Sequence, residues 1–418
     1  MSTFELSVRF FLQLAFILAM CRVVGWLAGR VGQPQVVGEM IAGVLLGPSL
    51  FGLLWPEAQG WMFPKESKPI LFAVAQLGLS IYMFLVGVEF DHELIRKRLR
   101  GAAAVSAAGI VVPFCLGAIA AVALFGTGIL FPPQTQWIEG ALFLGAAMSI
   151  TAFPMLARII YERGLSGTSL GTLTLAAGAV DDAAAWCVLA VVLASFANNA
   201  QFALLAIGGG LAYAAFCLLA LRPLIARLGR TVDRAGGMSP AMLGSVLCMV
   251  MLGSWFTDAI GIYAVFGAFL LGVAMPRGLF ADELRRKLEP MTTALLLPLF
   301  FVYSGLNTRM GLLSDASLIG VTLLLLVLAI AGKGLACYVA ARFHGESHRE
   351  SMAIGSLMNA RGLMELIILN IGLEHKLITP ALFTMMVLMA ITTTLMASPL
   401  FEACYGRWSR SPDRTNPV

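Results

Sequence analysis

Charged residues are scarce in this chain. Only 12% of its 418 residues are Asp, Glu, Lys or Arg, whereas water-soluble globular domains carry about 25%. This shortage excludes a water-soluble globular protein. A hydrophobic fraction of 59% and a mean hydropathy of +0.88 indicate a polytopic membrane protein instead. At roughly 20 apolar residues per crossing, the length allows about a dozen transmembrane helices and no large water-soluble domain.

Motifs for enzymatic chemistry are absent as well. The sequence has no phosphate-binding P-loop and no HExxH zinc motif, so we expect neither catalysis nor a bound cofactor. Its seven cysteines show no CxxC spacing, which argues against a metal site or a disulfide framework. The net charge of +5 comes without aromatic residues interleaved with basic ones, so we do not expect nucleic-acid binding.

Apolar segments between polar or Pro/Gly-rich breaks predict thirteen transmembrane helices, numbered here as spans 1–13. They cover residues 8–28, 34–53, 69–88, 101–126, 137–159, 168–197, 202–225, 238–257, 259–276, 289–307, 315–341, 350–373 and 379–402. Basic residues concentrate in the loops after odd-numbered spans, such as Arg96, Lys97, Arg98 and Arg100. By the positive-inside rule, the N-terminus lies outside and the C-terminus lies in the cytoplasm.

Spans 2 and 3 resemble spans 9 and 10. Residues 38–48 parallel residues 263–276, and residues 82–91 parallel residues 299–308. Because the copies are seven spans apart, they have opposite orientations, and span 7 joins two sets of six. Such inverted repeats are typical of alternating-access secondary transporters. The expected fold class is therefore an all-α polytopic membrane protein with inverted six-helix repeats.

Five charged residues stand out in the interior of predicted spans, where a charge costs at least about 2.5 kcal/mol on insertion scales. Asp181 and Asp182 lie in the middle of span 6, Lys333 lies in span 11, and Arg361 and Glu365 lie in span 12. Two adjacent carboxylates repel each other, which favours proton binding by one of them. A site that exchanges protons for a cation requires this property.

The two basic residues need acidic partners. Lys333, which is flanked by glycines, is expected to pair with Asp181 or Asp182, as part of a transport site or as a structural salt bridge. Arg361 and Glu365 are four residues apart, so in a helix they share a face and satisfy each other. We interpret this second pair as structural.

Two spans contain residues that interrupt a helix. In span 5, Pro154 removes an amide N–H and frees carbonyl groups in the preceding turn, while the hydroxyls of Ser149 and Thr151 add oxygen ligands. In span 12, Asn359 and Gly362 are poor helix formers. Unwound segments at these positions would expose backbone groups to a cavity. Their oxygens would then lie beside the aspartates.

In combination, these residues resemble the monovalent cation:proton antiporter-2 family. That family includes bacterial Na⁺/H⁺ antiporters, glutathione-gated potassium efflux systems and plant cation/proton exchangers. The resemblance is carried by residues 33–49, 87–91, 179–182 and 358–362. It implies that Asp182 binds the cation, Na⁺, and exchanges protons, that Asp181 pairs with Lys333, and that spans 5 and 12 are crossed discontinuous helices.

The resemblance also implies a domain organisation. A dimerisation domain contains spans 1–3 and 7–10, and a core domain that moves as an elevator contains spans 4–6 and 11–13. Their boundaries are residues 1–100 with 198–310 and residues 101–197 with 311–402, followed by a short cytoplasmic tail at 403–418. The implied assembly is a homodimer in the lipid of the plasma (bacterial inner) membrane.

We therefore expect a secondary antiporter that exports Na⁺, or Li⁺ or K⁺, in exchange for H⁺. The aspartate doublet with Lys333 resembles the electrogenic sodium branch, whereas residues 357–372 resemble the potassium and plant exchanger branch. Exchange is electrogenic if Lys333 releases its proton during the cycle and electroneutral otherwise. The alternatives are an electroneutral K⁺/H⁺ antiporter, a gated cation channel and an organic-anion transporter on the same scaffold.

Overall fold

The structure, a computed structural model, describes residues 3–33, 35–89, 99–153, 156, 159–160, 165, 168–196, 200–260, 264–308 and 315–406. Within its helices, the side chains at 3, 99, 179, 182–183, 186–187, 189–196, 200–207, 363–364 and 406 lie outside the described part. All regular structure in these ranges is helical, and nine of their helices are long and apolar enough to cross a membrane. The chain is a multi-pass helical membrane protein, and the number of thirteen spans stays a prediction.

The described helices follow one another along the chain. They are α1 (Thr3–Arg30), α2 (Gln35–Leu46), α3 (Phe51–Leu54), α4 (Pro56–Met62), α5 (Lys68–Glu89), α6 (Leu99–Ala123), α7 (Trp137–Ser149), α8 (Ser169–Phe196), α9 (Ala200–Ala215), α10 (Arg222–Ala235), α11 (Pro240–Ala259), α12 (Ala264–Val273), α13 (Leu279–Met291), α14 (Leu297–Leu306), α15 (Ala316–Ile330), α16 (Ala336–Phe343), α17 (His348–Met358), α18 (Leu363–Glu374) and α19 (Pro380–Phe401). Three π-helical segments join α9 to α10, α13 to α14 and α15 to α16. They are Phe216–Leu221, Thr292–Leu296 and Ala331–Leu335.

The chain divides into two compact units. The first comprises Met1–Val23, Ala42–Asp91 and Trp186–Leu306, and the second comprises Val24–Ile41, His92–Ala185 and Asn307–Val418. Each unit is therefore assembled from separate stretches of the sequence.

Glycines set the close helix crossings of the first unit. A Cβ atom added at Gly272 of α12 would lie 2.1 Å from the carbonyl oxygen of Phe84 in α5, and one at Gly87 would lie 2.2 Å from that of Phe269. Only the absence of a side chain lets these two backbones approach so closely. Small residues serve this purpose in membrane helices because lipid provides no hydrophobic force between them.

Two helices of the first unit extend beyond the predicted spans 7 and 10. Through the π-helical segments, the helix of span 7 continues to the end of α10, and that of span 10 begins with α13. These extensions are polar along one face, so a hydropathy window omits them. Their apolar faces share one buried cluster that includes Ile225, Val232, Phe280 and Leu284, which explains why the helices continue.

The second unit surrounds the interrupted helices. Its core cluster joins α6, α8, α16, α17 and α19 through buried residues such as Val105, Ala177, Cys337, Leu357 and Phe401. Helix α7 packs against α6. The charged residues predicted inside spans 6, 11 and 12 all belong to this unit.

We predict that Gly272→Val lowers the thermal stability of the purified protein, because the new side chain collides with the α5 backbone. Overpacking of this kind costs about 1–3 kcal/mol. Gly244→Val in α11 is the matched control, since a Cβ there meets no atom within 4 Å. Both variants are compared by thermal unfolding in detergent. Equal midpoints for the two variants would contradict the close crossing.

Candidate functional site

Helix α7 ends inside the second unit. It begins with a capping box in which Gln136 and Glu139 satisfy each other's exposed backbone groups, and it stops at Ser149. Ile150 has extended dihedral angles (φ −70°, ψ 136°), and residues 150–152 are buried and non-helical. The predicted helix breaker of this span, Pro154, lies outside the described residues.

A second interruption separates α17 from α18. Helix α17 ends at Met358, Asn359 forms a turn, and residues 360–362 are non-helical, so Gly362 immediately precedes α18. The two interruptions touch each other. The backbone N–H of Ala152 donates a 3.0 Å hydrogen bond to the carbonyl oxygen of Ala360.

Asp181 of α8 lies beside the first interruption. Its side chain is almost completely buried and accepts three hydrogen bonds. Ser106 of α6 donates to Oδ1 at 2.8 Å, while Thr151 and Lys333 donate to Oδ2, the lysine at 2.9 Å. A buried carboxylate is stable only when it is paired and hydrogen-bonded in this way.

Lys333 lies in the π-helical segment between α15 and α16, and it is completely buried. Besides Asp181, its ammonium group donates to the carbonyl oxygens of Gly109, at 2.9 Å, and Ser149. An ammonium group has three donors, and all three are used. Gly109 fits here because a Cβ atom would stand 2.7 Å from the sulfur of Cys337.

Arg361 and Glu365 form a second buried pair with looser geometry. Both side chains are fully buried, and Nη1 of Arg361 lies 3.7 Å from Oε1 of Glu365. Arg361 precedes α18 instead of lying on it, so the two do not share a helical face as the spacing suggests. The guanidinium group donates instead to the carbonyl oxygens of Ala147, at 3.2 Å, and Met148, at 2.6 Å, near the end of α7.

The structure thus brings six of the predicted site residues around the two interruptions: Ser149, Thr151, Asp181, Lys333, Arg361 and Glu365. The Ser149 hydroxyl donates to the carbonyl of Ala146 within its own helix, and Asn359 approaches the carbonyl of Ile330 at 3.4 Å. Asp182 follows Asp181 in α8, and its side chain lies outside the described part.

Two residues of this site were not anticipated from the sequence. Ser106 holds Asp181, and Gly109 supplies a carbonyl oxygen to Lys333. Ser106 is the one polar side chain between residues 101 and 112, which is a weak signal. Gly109 contributes only a backbone oxygen, for which the sequence holds no signal.

Comparison with known proteins identifies the family. Residues 14–403 match the model of the transmembrane sodium/hydrogen exchanger family. The chain belongs to this family. This membership confirms the family resemblance that the motifs indicated. The family consists of transporters.

Similar proteins with assigned names are ion antiporters. The Na⁺/H⁺ antiporter NhaS4 of Synechocystis sp. is 42% identical over 391 residues, which cover 93% of this chain and 95% of that protein. Cation/H⁺ antiporter 17 of Arabidopsis thaliana is 36% identical over 94% of this chain and 48% of its own length. K⁺/H⁺ antiporter 1 of Saccharomyces cerevisiae is 32% identical over 95% of this chain and 46% of its own length. This chain therefore spans about half the length of the plant and yeast relatives.

A solved structure shares the fold. The sodium proton antiporter MjNhaP1 from Methanocaldococcus jannaschii matches 95% of this chain and 97% of that chain with a TM-score of 0.66 at 16% identity. At this identity, the match shows the fold alone.

We predict that Asp181 and Lys333 stabilise the protein as a coupled pair. Removing one charge from a buried pair costs about 3–5 kcal/mol because the other is left uncompensated. Asp181→Asn and Lys333→Gln should therefore each lower the thermal midpoint. The double variant should recover most of the loss. Additive losses in the double variant would show that the two groups act separately.

Proposed function

We propose that this chain is a secondary monovalent cation/proton antiporter that exports Na⁺ in exchange for H⁺. The observation that carries this proposal is the buried Asp181–Lys333 pair, which lies where two interrupted helices meet. Carboxylate, hydroxyl and carbonyl oxygens surround it, and these are the ligands that hard cations prefer. The membership in a sodium/hydrogen exchanger family and the 42% identity to a protein named as a Na⁺/H⁺ antiporter support the same function.

In this proposal, Na⁺ and H⁺ compete for Asp182, with Thr151 and Ser149 contributing oxygens. Broken membrane helices bind ions in this manner because their free backbone and side-chain oxygens face a cavity. Thr151 supports the assignment, since its hydroxyl already contacts Asp181, the neighbour of Asp182. K⁺ is the alternative cargo, because two similar proteins are named as K⁺/H⁺ and cation/H⁺ antiporters.

The net charge of the buried residues determines which states can cross the membrane in the proposed transport cycle. Of the five charged residues singled out above, the three carboxylates of Asp181, Asp182 and Glu365 and the two cationic groups of Lys333 and Arg361 sum to one net negative charge. In one-for-one exchange, with Lys333 protonated throughout, binding one Na⁺ or one H⁺ cancels that charge. A loaded unit can then cross the apolar barrier, while the empty unit is held back by the cost of its charge.

Electrogenic exchange requires one further proton, and Lys333 is its proposed source. If Na⁺ binding draws Asp181 away from the ammonium group, a buried lysine without its partner loses its proton readily. Two protons then return for each Na⁺. If Lys333 keeps its proton, the exchange is one for one.

The larger-scale parts of the proposal follow the family resemblance. The second unit is proposed as the elevator-like core, with α7 and α17–α18 as its crossed discontinuous helices within an inverted repeat, and the first unit as the dimerisation domain. The division of the chain into two compact units supports a two-domain organisation, with boundaries that differ from the predicted ones: Val24–Ile41 falls in the second unit and residues 186–197 fall in the first. We also propose a homodimer in the bacterial inner membrane, with the N-terminus outside and the C-terminus in the cytoplasm.

We predict that Asp182→Asn abolishes exchange, because an amide neither releases a proton nor attracts a cation. The measurement is the pH-dye response of proteoliposomes to NaCl, LiCl and KCl in turn, and the variant should give the response of protein-free liposomes. Asp233→Asn, the same change at an exposed carboxylate of α10, is the control. Retained exchange in Asp182→Asn would refute the assignment, and cation flux without proton coupling would favour a channel.

We predict that Lys333 decides the charge moved per cycle. In wild-type proteoliposomes, Na⁺-driven exchange should produce a membrane potential, recorded with a potential-sensitive dye. Lys333→Gln should exchange without producing that potential, because the additional proton that Lys333 releases is then missing from the cycle. An unchanged potential in this variant would assign the lysine a structural role alone.

A further inference from the structure

Arg361 binds the end of α7 more tightly than it binds Glu365. A helix that stops inside a protein leaves its last four carbonyl groups without backbone partners. In α7 these belong to Ala146, Ala147, Met148 and Ser149, and each accepts a hydrogen bond from a side chain. Arg361 supplies two of the four donors. The helix end therefore depends more on Arg361 than on any other described residue.

The contact with Glu365 is weaker by geometry. Its 3.7 Å separation from Arg361 exceeds hydrogen-bond distance. Within the described residues, neither carboxylate oxygen of Glu365 has a hydrogen-bond partner, and the Nε group of Arg361 has none either. The guanidinium group thus directs its hydrogen bonds to the carbonyls of α7, although a carboxylate lies close by.

The backbone of Arg361 is fixed from the other side. Its N–H group donates to the hydroxyl oxygen of Thr394 in α19 at 3.0 Å, and that hydroxyl lies 2.6 Å from the carbonyl oxygen of Arg361. The preceding residue, Ala360, accepts the hydrogen bond from Ala152. Arg361 therefore connects both interruptions to α19.

We propose that Arg361 is a positioning residue that clamps the end of α7 through the carbonyls of Ala147 and Met148. The clamp fixes two polar groups that follow along the chain, the Ser149 carbonyl that holds Lys333 and the Thr151 hydroxyl that holds Asp181. Arginine suits this task because its planar group donates two hydrogen bonds in a fixed geometry, whereas lysine is a single point charge. A positive group also complements the negative C-terminal end of a helix.

A double-mutant cycle separates this clamp from a simple ion pair. The variants are Arg361→Gln, Glu365→Gln, their combination and Arg361→Lys. If the clamp is correct, Arg361→Gln raises the KM for the transported cation about tenfold or more with little change in maximal rate. The combination with Glu365→Gln recovers only a small part of this loss. Glu365→Gln alone has a smaller effect, and Arg361→Lys does not restore the wild-type KM.

If Arg361 and Glu365 instead formed a simple ion pair, the opposite results would be expected. Its loss would be largely reversed in the double variant, and Arg361→Lys would resemble the wild type; either result would overturn the clamp. The KM readout rests on the proposed function, so the same variants are also compared by thermal midpoint. The Asp181/Lys333 cycle serves as the reference for a true pair. Weak thermal coupling between Arg361 and Glu365 supports the clamp even in a protein without exchange activity, whereas strong coupling contradicts it.

Discussion

The burial of the Lys333 ammonium group is the constraint on which the second unit depends. Its three donors reach oxygens of α6, of the end of α7 and of α8. An ammonium group in the membrane interior is unstable unless all its donors are satisfied, so these segments must stay together while the lysine is charged. The Ser149 carbonyl is available to it only because α7 stops there. In a continuous helix, the amide four residues later would occupy that oxygen.

The need to satisfy buried polar groups also explains why two cationic side chains, Lys333 and Arg361, lie at the end of α7. The carbonyls at the end of α7 carry partial negative charge, and no water is available to satisfy them in the core of a bilayer. Lys333 and Arg361 occupy three of these four carbonyls, so the break in the helix and the buried charges stabilise each other. Neither feature is tolerable alone. This mutual dependence accounts for broken helices and basic side chains occurring together here.

Some of this arrangement can be predicted from the sequence. Apolar runs indicate the membrane class because the bilayer imposes a length and a composition on each crossing, but the polar extensions α10 and α13 escape any hydropathy window. Charge neutrality points to an acidic partner for Lys333. The spacing of Arg361 and Glu365 suggests a helical pair, and it misleads because the chain is not helical at Arg361. Backbone acceptors such as Gly109 are invisible in the sequence, since every residue has a carbonyl.

Lys333 and Arg361 also differ in whether their hydrogen-bond partners can change charge. Lys333 faces Asp181, a partner that can itself gain or lose charge, so in the proposed exchange cycle their bond can be remade by proton or cation binding. Arg361 faces backbone carbonyls, which have no second charge state. A guanidinium group does not give up its proton in proteins, so protonation changes do not alter its hydrogen bonds to these carbonyls. Within the proposed mechanism, this difference suits Lys333 to proton exchange and Arg361 to a fixed positioning role.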